Sequence, residues 1–207
     1  MSDYLFADIA TLGTDNLETN TAMNTWFTAD THFGHKNIIK YTNRPFASAG
    51  EMDEALIANW NDRVAEGDDV YHLGDFALNS PAQCRSIIER LNGRIHLIRG
   101  NHEKTADACA DAFVWSKNYH ELLIDDPEAY QGKQAIMLFH YAMRVWNGSH
   151  HGTWSLFGHS HGVLPDNPTM RAIDVGVDVH GLAPVSYAEV KNIMGGKNWT
   201  SPFIDEG

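Results

Sequence analysis

Five apolar runs in this 207-residue chain each end in a short polar cluster, and stretches of helical periodicity lie between them. The runs are Trp26 to Ala29, Val70 to Leu73, Arg94 to Ile98, Ala135 to Phe139 and Trp154 to Phe157. Short apolar runs bounded by turn residues read as strands, and strands alternating with helices define an α/β protein. The clusters are Asp30-Thr31-His32, Gly74-Asp75, Gly100-Asn101-His102, His140 and Gly158-His159-Ser160-His161. Each is delivered at the C-terminal end of its strand.

Helix signals fill the intervals. Ser48 and Glu51 have the spacing of a capping box ahead of Met52, Leu56, Trp60 and Val64, a stripe recurring every fourth residue that faces a core. Ser80-Pro81-Ala82-Gln83 supplies a cap, a proline at the first helical position and a glutamine at the third, and Asn92-Gly93 is expected to end that helix. A third box falls at Ser186 and Glu189. Residues 1–22, rich in Thr, Asn and Asp, read as a loose N-terminal extension to a single domain over 23–207, with Met23 as an alternative start.

Composition bounds the function. With 43% hydrophobic and 11% aromatic residues the chain can bury one substantial core. Cys84 and Cys109 are its only cysteines, and no apolar run reaches membrane-spanning length, so a soluble cytoplasmic protein without structural disulfides is expected. Acidic residues outnumber basic ones 27 to 15, for a net charge of -12. That balance disfavours tight, sequence-independent binding to long nucleic acid, which depends on many Lys and Arg contacts to phosphates.

Taken together, the clusters offer carboxylate, imidazole and amide donors in the proportion that two neighbouring divalent metal ions need, with His102 left over for proton work. In an extended segment side chains two apart point the same way, so Asp30 with His32, and His159 with His161, are each expected to present two donors to one locality. Nitrogen and oxygen donors without thiolate suit Mn, Fe, Zn, Ni or Co, of which Mn is favoured here.

The ordered set D-x-H, G-D, G-N-H, a single His and G-H-x-H resembles the calcineurin-like metallophosphoesterase family, across about Asn24 to Ala188. Within it, Asp30-Thr31-His32-Phe33-Gly34-His35, continuing to Tyr41, Arg44 and Pro45, resembles a group of small bacterial and phage phosphoesterases. The resemblance implies a four-layer α/β/β/α sandwich of two mixed sheets flanked by helices, with the metal site along one edge. It implies one metal on Asp30, His32 and His161, a second on Asn101, His140 and His159, and Asp75 bridging both. It further implies hydrolysis of a phosphate ester by a water activated between the metals, with His102 as proton donor on the leaving-group side.

Two departures narrow the expectation. Phosphoprotein phosphatases of that family follow the bridging aspartate with an acid and an arginine, whereas this chain continues Phe76-Ala77-Leu78-Asn79. Glu103 follows His102 where an aspartate is common, and it is expected to cap the next helix. The expected substrate is a small or nucleotide-derived phosphodiester; the alternatives are a monoesterase, a metal-dependent nuclease, or a non-catalytic adaptor retaining the fold.

Substrate contacts are less marked in the sequence. Lys36, Arg44, Arg99 and Arg144 are the basic residues nearest the clusters, and Arg144 and Arg44 are the candidates carried forward together with His35. Residues 145–152 read either as a wall over the site, with Trp146 placed to stack on a base, or as a hairpin loop with a buried tryptophan. His72, His96, His120 and His180 are expected to be structural.

Overall fold

The computed structural model describes residues 20–21 and 24–201. Residues 1–19, 22, 23 and 202–207 lie outside the described residues, so the expected loose extension is addressed only at 20–21. There Asn20–Thr21 (β1) pairs in parallel with Ile124–Asp125, so the last part of the expected extension belongs to a sheet.

Strands form at all five predicted apolar runs and at four further places between Thr25 and Ser186. They are Thr25–Thr28 (β2), Asp69–His72 (β3), Arg94–Ile98 (β4), Trp115–Lys117 (β5), Tyr119–Asp125 (β6), Lys133–Phe139 (β7), Trp154–Phe157 (β8), Ala172–Asp174 (β9) and Val185–Ser186 (β10). One five-stranded sheet has the order β10-β2-β3-β4-β5, and the other β1-β6-β7-β8-β9. Both are mixed: β10 is antiparallel to β2, and β6 to β7, while the remaining pairs are parallel.

Alternation along the strands of the first sheet builds two cores. Val70, Ile95 and Leu97 face a helical layer, and their neighbours Tyr71, Leu73 and Ile98 face the second sheet. Ile38–Tyr41 (α1), Ala49–Asn61 (α2), Pro81–Ile88 (α3) and Lys104–Asp107 (α4) bury residues in the first core. Tyr187–Gly195 (α5) contributes Tyr187, Val190 and Met194 to the second, where they meet Leu122, Ile124, Ile136, Leu138 and Leu156 of the other sheet. The α/β architecture with two mixed sheets matches the sequence expectation.

Helix ends follow their caps. Ser80 and Gln83 close a full capping box, as do Ser186 and Glu189. At α2 the Ser48 hydroxyl accepts from Glu51 N, but the Glu51 carboxylate reaches the Ala47 amide instead of the cap's own. Met52, Leu56, Trp60 and Val64 are all buried, and the Trp60 indole donates to the Asn92 carbonyl at 2.9 Å.

Parallel pairing fixes where the polar clusters go. Thr28 is registered with His72, and His72 with Leu97, so the chains leaving β2, β3 and β4 emerge at one level on one edge. Leu138 is registered with Leu156, bringing His140 and the 158–161 loop out together, and an isolated bridge from Ala29 to Gly176 ties the two sheets at that edge. Truncation of Trp60 to alanine is expected to lower unfolding free energy by about 3–5 kcal/mol through lost burial and a residual cavity. Ser80→Ala, which removes only a cap, is expected to cost about 1 kcal/mol. Urea denaturation of the two variants beside wild type checks the ratio.

Candidate metal centre

The loops that carry the candidate ligands are clamped to one another by backbone. Asp30 N donates to Gly74 O at 2.9 Å, His32 N to Asp75 O at 3.0 Å and Phe33 N to Phe76 O at 2.9 Å. His72 sits behind them: the Thr31 hydroxyl donates to Phe76 O at 2.8 Å and so accepts from His72 Nε2 at 2.9 Å. The extended geometry expected for these loops is not found. Asp30, His32, Asp75, His159 and His161 have φ of 58°, 51°, 57°, 66° and 48°, all in the left-handed region. Such a conformation costs a non-glycine residue on the order of 1–3 kcal/mol, and it persists only where the surroundings enforce it.

Two glycines permit the crowding. Gly74 has φ +97°, and a Cβ there would stand 2.5 Å from His140 Nδ1; a Cβ on Gly158 would stand 2.7 Å from Asp30 Oδ2. Neither backbone position could carry a side chain without displacing a candidate ligand.

The donors fall into two groups. One nitrogen or oxygen from each of Asp30, His32 and His161 lies within 4.8 Å of the others, and the same holds for Asp75, His140 and His159. Asp75 lies between the groups, with Oδ2 3.6 Å from His32 Nε2 and Oδ1 3.7 Å from His140 Nε2. Asn101 Oδ1 is 3.1 Å from His140 Nε2. Thus all seven sequence-predicted ligands converge, but the two histidines of the 158–161 loop belong to different groups, a consequence of the left-handed turn at each.

Electrostatics favours cations here. Burial raises the Asp30 carboxyl well above the usual range, and the neighbouring carboxylates of Asp174 and Asp75 add to it. Burial, then the nearby His161 and Arg44, pushes His32 down to about 2, so its ring is neutral with a lone pair to offer. Asp30 Oδ1 and both His32 ring nitrogens are buried without a hydrogen-bond partner. His140 Nδ1 lies 2.7 Å from Leu73 O and His161 Nδ1 lies 2.7 Å from Asp178 Oδ2. A carbonyl and a carboxylate can only accept, so each Nδ1 carries the proton and leaves Nε2 as donor atom. Buried carboxylates beside neutral, oriented imidazoles fit divalent metal ions.

Several supporting residues have no local sequence signal. Asp178 accepts from His161 and from Arg44 Nε and Nη2, both at 2.8 Å. Arg44 also donates to the backbone carbonyls of Asp30 and Thr31, at 2.7 and 2.9 Å, and is 5% exposed. It therefore cannot reach a substrate as expected; it braces the Asp30–His32 turn and holds Asp178 against His161. The pair lies 134 residues apart in sequence, beyond any pattern of spacing. Burial would raise Asp178, but Arg44 and then His161 bring it down to about 2. Asp174 accepts from the Ser160 hydroxyl and from Gly162 N, which holds the turn around His161.

Glu103 also differs from expectation. It stands at the position before α4, yet its carboxylate turns away from that helix and accepts from the amides of Asp75, Phe76 and Gly100. Burial pushes it up to about 7 against those amides, and the charge on Asp75 adds to the rise. Arg144 is exposed and lines a separate pocket with Trp146, whose indole donates to Thr153 at 3.0 Å. Both therefore lie off the candidate site, and 145–152 does not wall it. Arg99 pairs with Asp107, and Lys36 is exposed. His96 bonds Asp69 and His180 bonds the Asp174 carbonyl, as structural histidines do.

His102 is exposed at the mouth, its backbone N donating to Asp75 Oδ1 at 2.8 Å and its ring centre 5.7 Å from that of His32. His35 stands 6.4 Å from His102, ring to ring, and burial followed by the His102 charge lowers its proton affinity. Its Nδ1 is buried and unpartnered.

Two mixed sheets thus carry a pair of candidate metal-binding groups on a shared edge. The sequence profile of the calcineurin-like phosphoesterase family matches residues 23–147, and the chain belongs to that family. The match contains five of the seven candidate ligands, Asp30, His32, Asp75, Asn101 and His140, and ends before the 158–161 loop, whose place follows from geometry. An uncharacterized protein, MJ1445, of Methanocaldococcus jannaschii is 38% identical over 165 residues, 76% of this chain and 84% of that protein. The Gene 66 protein of Mycobacterium phage D29 is 29% identical over 83% of this chain and 96% of its own. A crystal structure of AQ665 from Aquifex aeolicus, a protein of unknown function, superimposes with a TM-score of 0.62 at 22% identity, over 82% of this chain and 98% of that one. That likeness concerns the fold.

Asp178→Asn, which keeps size but weakens the orienting bond to His161, is expected to lower divalent metal affinity about 10–100-fold, as loss of such outer partners does. Titration calorimetry with Mn²⁺ checks this; unchanged affinity would remove Asp178 from the metal centre.

Proposed function

We propose that the protein hydrolyses phosphodiesters of small or nucleotide-derived compounds at a centre of two divalent metal ions. Asp30, His32 and His161 would hold one ion and Asn101, His140 and His159 the other, with Asp75 placed between them. The position of Asp75, 3.6 Å from His32 and 3.7 Å from His140, is the observation that carries this reading. When bound, two such ions activate water near neutral pH and offset negative charge on phosphate oxygens. The donor types suit Mn, Fe, Zn, Ni or Co without choosing among them, and Mn is taken as the working metal.

The chain's own residues supply the rest. Asp75, accepting from His102 N, holds the catalytic imidazole over the centre. A ring nitrogen of His102 gives its proton to the departing oxygen, a contribution of about 10²–10⁴-fold. His35, beside it, lines the same cleft and is placed to contact a bound phosphate. Water adds to phosphorus as the ester bond to the leaving oxygen breaks, and no covalent enzyme intermediate is needed.

The diester preference rests on charge. Among the described residues lining the cleft there is no Lys or Arg. A monoester dianion or a polyphosphate would find no side-chain cation beyond the metals, whereas a diester carries a single negative charge. The same lack, with the net charge of -12, weighs against long nucleic acid as substrate.

With Mn²⁺ present, bis-p-nitrophenyl phosphate is expected to be cleaved faster than p-nitrophenyl phosphate. His102→Ala is expected to retain both metals and lose at least about 100-fold in turnover, and Asp75→Ala to lose metal and activity together. A monoester preference would overturn the diester reading. No turnover on either compound by a protein with two bound metals would favour the adaptor.

A further inference from the structure

Beyond the metal groups, the cleft is edged by apolar residues. Tyr41 is 72% exposed and Val163 85%, and the half-buried Leu78 lines the same cleft. Large apolar side chains so open to water are informative when they cluster at a site mouth. Tyr41 is also held in place: it ends α1, whose Ile38 is anchored in the first core, and the Thr42 hydroxyl closes that turn by donating to Ile38 O at 3.0 Å.

The rings form a row that leads out from the centre. His102 is 6.4 Å from His35, and His35 is 6.4 Å from Tyr41, which it meets edge-on at 74°. Tyr41 is largely open to water despite this contact, so ring surface remains for another flat group. His102 serves the departing oxygen in the reading above, so the group that reaches Tyr41 belongs to the leaving alcohol. Two ring-to-ring steps separate the proton donor from the tyrosine. An aromatic group bonded directly to the leaving oxygen would lie beside His102 and His35; one borne on a sugar-sized spacer extends to Tyr41.

We infer that Tyr41 is a specificity-determining residue that stacks on the base of a departing nucleoside, so that the preferred substrate is a phosphodiester that releases a nucleoside. This rests on the diesterase reading. The absence of lysine and arginine from the described cleft residues agrees with it, since recognition then comes from stacking and the metals, without a second phosphate grip. In the reaction water forms a new bond to phosphorus, the bond from phosphorus to the nucleoside oxygen breaks, and His102 supplies the proton that nucleoside takes away.

The test uses adenosine 5′-(methyl phosphate) and the Mn²⁺-loaded protein, with products separated by chromatography and bis-p-nitrophenyl phosphate as the reference diester. The expected products are adenosine and methyl phosphate. Tyr41→Leu, apolar but not flat, is expected to raise KM for the adenosine ester about tenfold, within the range of base–aromatic stacking, and Tyr41→Phe to restore it. Release of AMP and methanol, or a KM unmoved by Tyr41→Leu, overturns the inference while leaving the diesterase standing. So does cleavage of the reference diester alone. Failure on both diesters overturns the diesterase reading, and this inference with it.

Discussion

Like charge gathered in a dry place is the constraint around which one edge of this sandwich is arranged. Asp30 and Asp75 are buried, and Asp174 and Asp178 raise the proton affinity of Asp30 further. Arg44 relieves part of that repulsion by pairing with Asp178 and bonding the carbonyls of Asp30 and Thr31. Amides of Asp75, Phe76 and Gly100 gather on Glu103 in the same way. What neither device neutralises, Asp30 Oδ1 and the space around Asp75, is left to metal cations. A buried charge without a partner is costly, and a bound cation would offset that cost.

The second constraint is conformational. Five ligand residues adopt left-handed backbone, and the sheet edge enforces it through the paired loops after β2 and β3 and the bridge from Ala29 to Gly176. Two rigid cores beneath the edge hold these turns, one under the helices and one between the sheets. Rigid support of this kind sets the donor atoms before any ion arrives, which reduces the ordering that binding would otherwise require. The outer rim differs. Tyr41 and Val163 are open to water and line the same cleft as the candidate ligands.

The family assignment and the geometry carry different parts of the account. The profile match reaches from 23 to 147 and so covers the Asp30, Asp75, Asn101 and His140 loops. His159 and His161 enter through β8, registered on β7, and through the amide of His159, which donates to Asp30 Oδ2 at 2.8 Å.

The sequence by itself determined the α/β class, the main strands, two complete capping boxes and the residues that converge at the site, because each of these leaves a local trace: an apolar period, a cap, or a polar cluster closing a strand. It did not determine how those clusters turn, since a short D-x-H or H-x-H segment is as compatible with extended as with left-handed backbone. Arg44 shows the limit most plainly. Its proximity to the first cluster suggested a substrate contact, but burial against Asp178, distant along the chain, makes it a brace. Arg144 and Trp146, next to His140 in sequence, are turned to another pocket, while Tyr41 reaches the cleft from a four-residue helix. Adjacency along the chain is one-dimensional, and the direction a side chain faces is fixed only once strands pair, sheets pack and the charges among them are offset.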